Sequence, residues 1–133
     1  MLIFARFAEA NSFAFGTGLE SWVAAELPET QLLDLDSNSG RAYALQLAEA
    51  AAQAPAFVLW LKSDELNLPL GAMAGLLETW LRHPGPKLLV LEGEHAQTER
   101  MGMAQNKRFC KGKTAAELKP QVLKFFANIT LPA

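Results

Sequence analysis

Five apolar runs of strand character, at residues 2–7, 31–36, 56–62, 87–92 and the short 108–111, alternate with stretches of helical periodicity along the 133-residue chain. Parallel strands need a crossover of a dozen or more residues, usually a helix that covers a sheet face. A β-α unit repeated about five times therefore predicts an α/β chain with a three-layer, doubly wound, five-stranded parallel sheet. Residues 56–61 are apolar without alternation, as a strand covered on both faces must be, and 88–91 read the same way. Residues 33–36 alternate Leu and Asp, the pattern of an edge strand with one wet face. The fifth run is short and basic, which suits the opposite edge, where lysines discourage further pairing. These assignments predict strand order 2-1-3-4-5 and a single domain over residues 1–133.

The helices are delimited by caps and breakers. Thr17 to Glu20 and Thr114 to Glu117 have capping-box spacing. A second helix is expected over 40–54, with Gln46, Glu49 and Gln53 as its polar stripe and Leu45, Leu47, Ala48 and Ala52 on its buried side. A third over 70–82 is expected to bury Met73, Ala74, Leu77 and Leu81 and to end before His83-Pro84-Gly85. A short fourth helix is expected around 99–104. In the last, Pro120 lies six residues past the cap, so either the first turn is separate or the helix proper begins at Pro120. Leu118, Val122, Phe125, Phe126 and Ile129 form its apolar face.

Half of the residues are apolar, which marks a globular chain. The opening residues lack the basic start and longer apolar stretch of a signal peptide, and no window approaches the ~18 apolar residues of a membrane span. One cysteine, Cys110, cannot form an internal disulfide. A cytoplasmic location and no membrane association are the expectations. The net charge of −2 conceals an asymmetry: residues 1–99 hold 13 acidic and 5 basic side chains, net −8, and residues 100–133 hold 1 acidic and 7 basic, net +6. A local basic excess attracts anions, or it pairs with the acidic body. Nucleic acid is not expected as a partner, because the body repels a long polyanion and the basic segment offers one aromatic, Phe109, for stacking.

Ligands of open α/β sheets bind outside the carboxyl ends of the strands, near the point where strand order reverses. The loops concerned are 8–18, 63–69 and 93–97, with 111–114 farther along the rim. Thr17 and Gly18 precede the first helix, and Lys111, Lys113 and Thr114 precede the last. Backbone N–H groups at such helix starts, with lysines beside them, form an expected site for one phosphate or carboxylate. Glu92-Gly93-Glu94-His95 offers ligand types for a metal, but neighbours along a loop rarely converge on one ion and no His-x3-His or Cys-x2-Cys partner exists, so no metal is expected. Cys110 has basic neighbours that favour its thiolate. His83, at a helix end, reads as a cap or dipole partner.

Gly112-Lys113-Thr114 resembles the end of a P-loop, but the position five residues earlier, where that motif needs glycine, is Lys107. Gly16-Thr17-Gly18-Leu19-Glu20 resembles the phosphate loop of flavodoxins. That family stacks its flavin on aromatics from later loops, which 63–69 and 93–97 lack, so no cofactor is expected. The five β-α units, the polar loop after the third strand and a glutamate on the next helix resemble the Toll/interleukin-1 receptor (TIR) domain. Some of its members cleave NAD with a glutamate on the third helix. That resemblance implies Glu78, in Leu76-Leu77-Glu78-Thr79-Trp80, as the catalytic residue, although its spacing to Arg82 also allows an ordinary i,i+4 ion pair. The receiver domain shares the topology, but its acidic pair after the first strand is replaced here by Ala8-Glu9-Ala10.

Three functions follow as expectations. The first is binding of a small anionic, nucleotide-like ligand at the carboxyl rim by Thr17, Gly18, Lys111, Lys113 and Thr114. The second is protein interaction or homo-oligomerisation through Gly71, Ala72, Gly75 and Trp80 on the third helix. The third is TIR-like NAD hydrolysis through Glu78.

Overall fold

A computed structural model describes residues 2–6, 19–27, 30–35, 41–63, 73–105 and 108–128. Strands β1 (Leu2–Arg6), β2 (Leu32–Leu35), β3 (Phe57–Ser63), β4 (Lys87–Gly93) and β5 (Phe109–Gly112) alternate with helices α1 (Leu19–Glu26), α2 (Arg41–Ala52), α3 (Met73–Arg82), α4 (Ala96–Ala104) and α5 (Ala115–Asn128). The chain is thus of the mixed α/β class that its alternation predicts. Every described strand pairing is parallel, and the strands lie in the order β2-β1-β3-β4-β5.

Period-two alternation sorts β3 and β4 between two cores. Phe57, Leu59, Leu61, Leu89 and Leu91 face Ala44, Leu47 and Ala51 of α2 and Leu76, Leu77 and Trp80 of α3. Val58, Trp60, Leu88 and Val90 face the other way, against Val23 of α1 and Leu118 and Val122 of α5. Helices therefore cover both sheet faces, and this is why these two strands carry no polar alternation until their ends. Truncating one of these leucines to alanine removes its transfer free energy and leaves a cavity, a loss of about 2–5 kcal/mol.

The helix faces depart from expectation in particular places. On α3 the buried positions among the described side chains are Leu76, Leu77 and Trp80, whereas Ala74 is exposed; the Met73 side chain lies outside the described ones. The stripe is rotated because the indole removes far more apolar area from water than a methyl group does. Leu45 of α2 is 60% exposed, because Ala44, Leu47, Ala48 and Ala51 already form that helix's inward face. Helix α4 starts at Ala96, earlier than its apolar residues indicate, because His95 caps it. Helix α5 is continuous through Pro120. The carbonyl that loses its donor there belongs to Ala116, and both residues are exposed, so solvent can take the donor's place. Ile129 of the expected apolar face lies outside the described residues.

At the amino-terminal ends of β3 and β4, two buried polar side chains join turn to turn. His83 Nδ1 accepts the Gly85 N–H at 3.1 Å, which leaves the proton on Nε2 to be donated to the Ala54 carbonyl at 2.8 Å. Its ring meets Phe57 edge-on at 5.8 Å. The Lys87 ammonium donates to the last-turn carbonyls of α3, Trp80 O at 2.9 Å and Leu81 O at 2.7 Å, and lies 4.7 Å from the Trp80 ring centroid. Carbonyls at a helix C-terminus have no partner within the helix, and a cation suits the negative end of the dipole. Burial and, second, the charge of Arg108 lower the Lys87 pKa from its ordinary 10.5.

Candidate functional site at the carboxyl rim

Parallel register lines up the strand ends. Arg6 is opposite Lys62, Lys62 is opposite Glu92, and Glu92 is opposite Gly112. Lys62 and Glu92 lie one step beyond the apolar layer that contains Trp60 and Val90, so the first charged residues of β3 and β4 on that face are set side by side at the rim. Lys62 stands where β1 meets β3, at the reversal of strand order.

Glu92 is only 9% exposed although it carries a carboxylate. Its Oε1 accepts the Trp60 indole N–H at 3.0 Å. Its Oε2 is 3.8 Å from Lys62 Nζ, an ion-pair distance that is too long for a hydrogen bond. Lys62 is nearly one-third exposed. The chain turns sharply just beyond: Gly93 has φ of 101°, and a Cβ there would run into the Ser63 carbonyl. Glycine alone tolerates that backbone, and the turn lets Glu94 N–H reach Ser63 O at 2.8 Å.

His95, read from the sequence as a ligand type, is the buried N-cap of α4. Its Nδ1 accepts the Thr98 N–H at 3.3 Å and lies 2.8 Å from Thr98 Oγ1. Glu94 is exposed. Among the described residues no three His, Cys, Asp or Glu side chains group as metal ligands.

The basic segment holds its own counterions. Lys111 Nζ donates to Glu99 Oε1 of α4 at 2.6 Å. Ahead of α5, Lys113 N–H donates to Glu117 Oε2 at 2.9 Å, and Glu117 N–H approaches Thr114 Oγ1 at 3.4 Å. This is the reciprocal cap its spacing predicts, with the carboxylate reaching one residue farther out. The Glu117 carboxylate thus occupies the start of α5, where an outside anion was expected. Thr17 and Gly18 lie outside the described residues. Of the expected binding set, the structure brings Lys111, Lys113 and Thr114 to one corner. Lys62, which sequence reasoning did not select, and Glu92, which it weighed only as a metal-ligand type, form a separate pair nearer the strand reversal. The signal that could have found them is the charged residue ending each of two apolar strand runs.

Glu78 projects from α3 more than half exposed and binds Arg82 at 2.8 Å, the i,i+4 pair its spacing allows. Of the expected self-association surface, Trp80 is fully buried and must be removed, Gly71 and Ala72 lie outside the described residues, and Gly75 is exposed with open space above it. The thiol of Cys110 is also corrected: burial raises its pKa to about 11, so its basic neighbours do not make it a thiolate. Among the described residues no helix is long and apolar enough to cross a membrane.

Compared with models of known protein families, with curated proteins and with solved structures, the chain finds no match.

Proposed function

We propose that this chain is a flavodoxin-like α/β domain, working in the cytoplasm, that binds a small anionic, nucleotide-like ligand at the carboxyl rim of its sheet. The observation that carries the reading is the register of Arg6 beside Lys62 at the carboxyl ends of β1 and β3, with Lys62 partly exposed and held by no hydrogen bond among the described residues. Two adjacent cationic positions at a strand reversal supply a field for an anion where the fold opens a crevice. Lys113 adds an exposed ammonium farther along. Lys111 is the weaker contributor, since an incoming anion must displace Glu99 from it. A single cysteine fits a reducing compartment.

Calorimetry and thermal shift with nucleoside monophosphates and sugar phosphates test the reading. Binding that weakens with salt and is lost in Lys62→Met supports it. Absence of any response across the panel, or binding indifferent to both Lys62→Met and Lys113→Met, removes it. The TIR-like alternative places NAD hydrolysis on Glu78. It requires an activity that Glu78→Gln abolishes in pure protein.

A further inference from the structure

Glu92 is out of place in a site that merely attracts anions. A carboxylate beside Lys62 repels a phosphate, and burying it costs free energy; among the described residues its side chain is met by one indole N–H and an ammonium 3.8 Å away. Its geometry has a use. Lys62 Nζ and Glu92 Oε2 are 3.8 Å apart, so an oxygen about 2.8 Å from each fits between them at ordinary hydrogen-bond lengths. That oxygen has to accept from the ammonium and donate to the carboxylate. A hydroxyl does both, whereas an ionised phosphate oxygen can only accept. Trp60 keeps Oε1 engaged at 3.0 Å and so fixes the carboxylate with Oε2 toward Lys62.

We propose that Lys62 and Glu92 are a hydroxyl-reading pair, and that the ligand is a phosphate ester with a free hydroxyl near its phosphate, such as a sugar phosphate or a nucleotide presenting its ribose. The inference rests on the anion-binding reading above and narrows its ligand class. The phosphate lies toward the cationic positions of β1 and β3, and the hydroxyl bridges Lys62 and Glu92. Glu92 then rejects bare anions, because charge repulsion is offset only when a donor is presented to it. Glu92→Gln preserves volume and an oxygen for Trp60, but it turns an N–H donor toward Lys62 in place of the acceptor.

The test is calorimetry of the full chain with ribose 5-phosphate, methyl phosphate and inorganic phosphate, on wild type and Glu92→Gln. The Trp60 indole N–H resonance reports that the variant keeps its fold. Wild type is expected to bind ribose 5-phosphate about tenfold tighter than methyl phosphate, the worth of one hydrogen bond to a charged group. Glu92→Gln is expected to bind the two alike, with methyl phosphate binding no weaker than in wild type. Equal affinity for both esters in wild type, or a preference that survives in Glu92→Gln, overturns the hydroxyl-reading pair and leaves the anion site standing. No binding of any of the three removes both.

Discussion

Two lysines on neighbouring strands show how differently the two ends of this sheet are built. At the amino-terminal end, Lys87 has its ammonium on two helix carbonyls at 2.7 and 2.9 Å and its charge against an indole, while His83 beside it has both ring nitrogens engaged. At the carboxyl end, Lys62 has, among the described residues, one carboxylate at 3.8 Å and no hydrogen bond. The first end closes its polar groups within the chain, and at the second the Lys62 ammonium meets no hydrogen-bond acceptor among the described residues. A group whose hydrogen bonds are complete supports the fold. One whose hydrogen bonds are incomplete near a strand reversal is available to a ligand. Trp80 qualifies the contrast, because its buried indole N–H has no hydrogen-bond partner among the described residues.

Substitutions at the two ends should differ in their effects. The largest effect is expected at Gly93, where alanine meets both a positive φ and the Ser63 carbonyl. A loss of about 3 kcal/mol in urea unfolding is expected, and a loss under about 1 kcal/mol would show that this turn does not hold the rim in place. His83→Ala removes two hydrogen bonds and a contact with Phe57, and is expected to cost about 2 kcal/mol by the same measurement.

Lys87→Met keeps the chain length and loses the ammonium, for an expected loss of about 1–2 kcal/mol near neutral pH. Its pH dependence has a definite sign. The native pKa lies below the unfolded 10.5, so between those values the unfolded chain binds more protons and stability rises with pH. The advantage of wild type over Lys87→Met should therefore grow as pH climbs toward 10.5. An advantage that shrinks over that window would mean that burial is not the dominant influence on this ammonium. Lys62→Met is expected to change stability least, within about 0.5 kcal/mol, because its ion pair is long and partly solvated. A loss as large as that of Lys87→Met would abolish the distinction between the two ends.

The α/β class and the two buried strands were legible because a strand covered on both faces leaves an unbroken apolar run. The runs ending at Leu61 and Leu91 are of that kind. The cap at Thr114 to Glu117 was legible for a local reason, since every partner lies within four residues. What was not legible depends on distance along the chain. Trp60 meets Glu92 across 32 residues, and only strand register brings them together. His83 reaches Ala54 across 29 residues, so its sequence neighbours suggest a helix-end role and conceal a tie between turns. Trp80 was misread because the α3 sequence allows two phases, and a choice between them needs the volume of the neighbouring α2 face. Of the candidate site, the basic corner could be read from charge counts. The carboxylate beside Lys62 could not, because its role follows from a distance.

The internal cap of α5 has a consequence for competition. Glu117 is tied by a short peptide to the Lys113 N–H it binds, so its effective concentration there is on the order of millimolar or higher. A free monoanion at micromolar level cannot outcompete a tethered one of similar intrinsic affinity. The N–H at the start of α5 is thereby shielded from free carboxylates, and a solute reaches it only by bringing more charge than the glutamate it displaces.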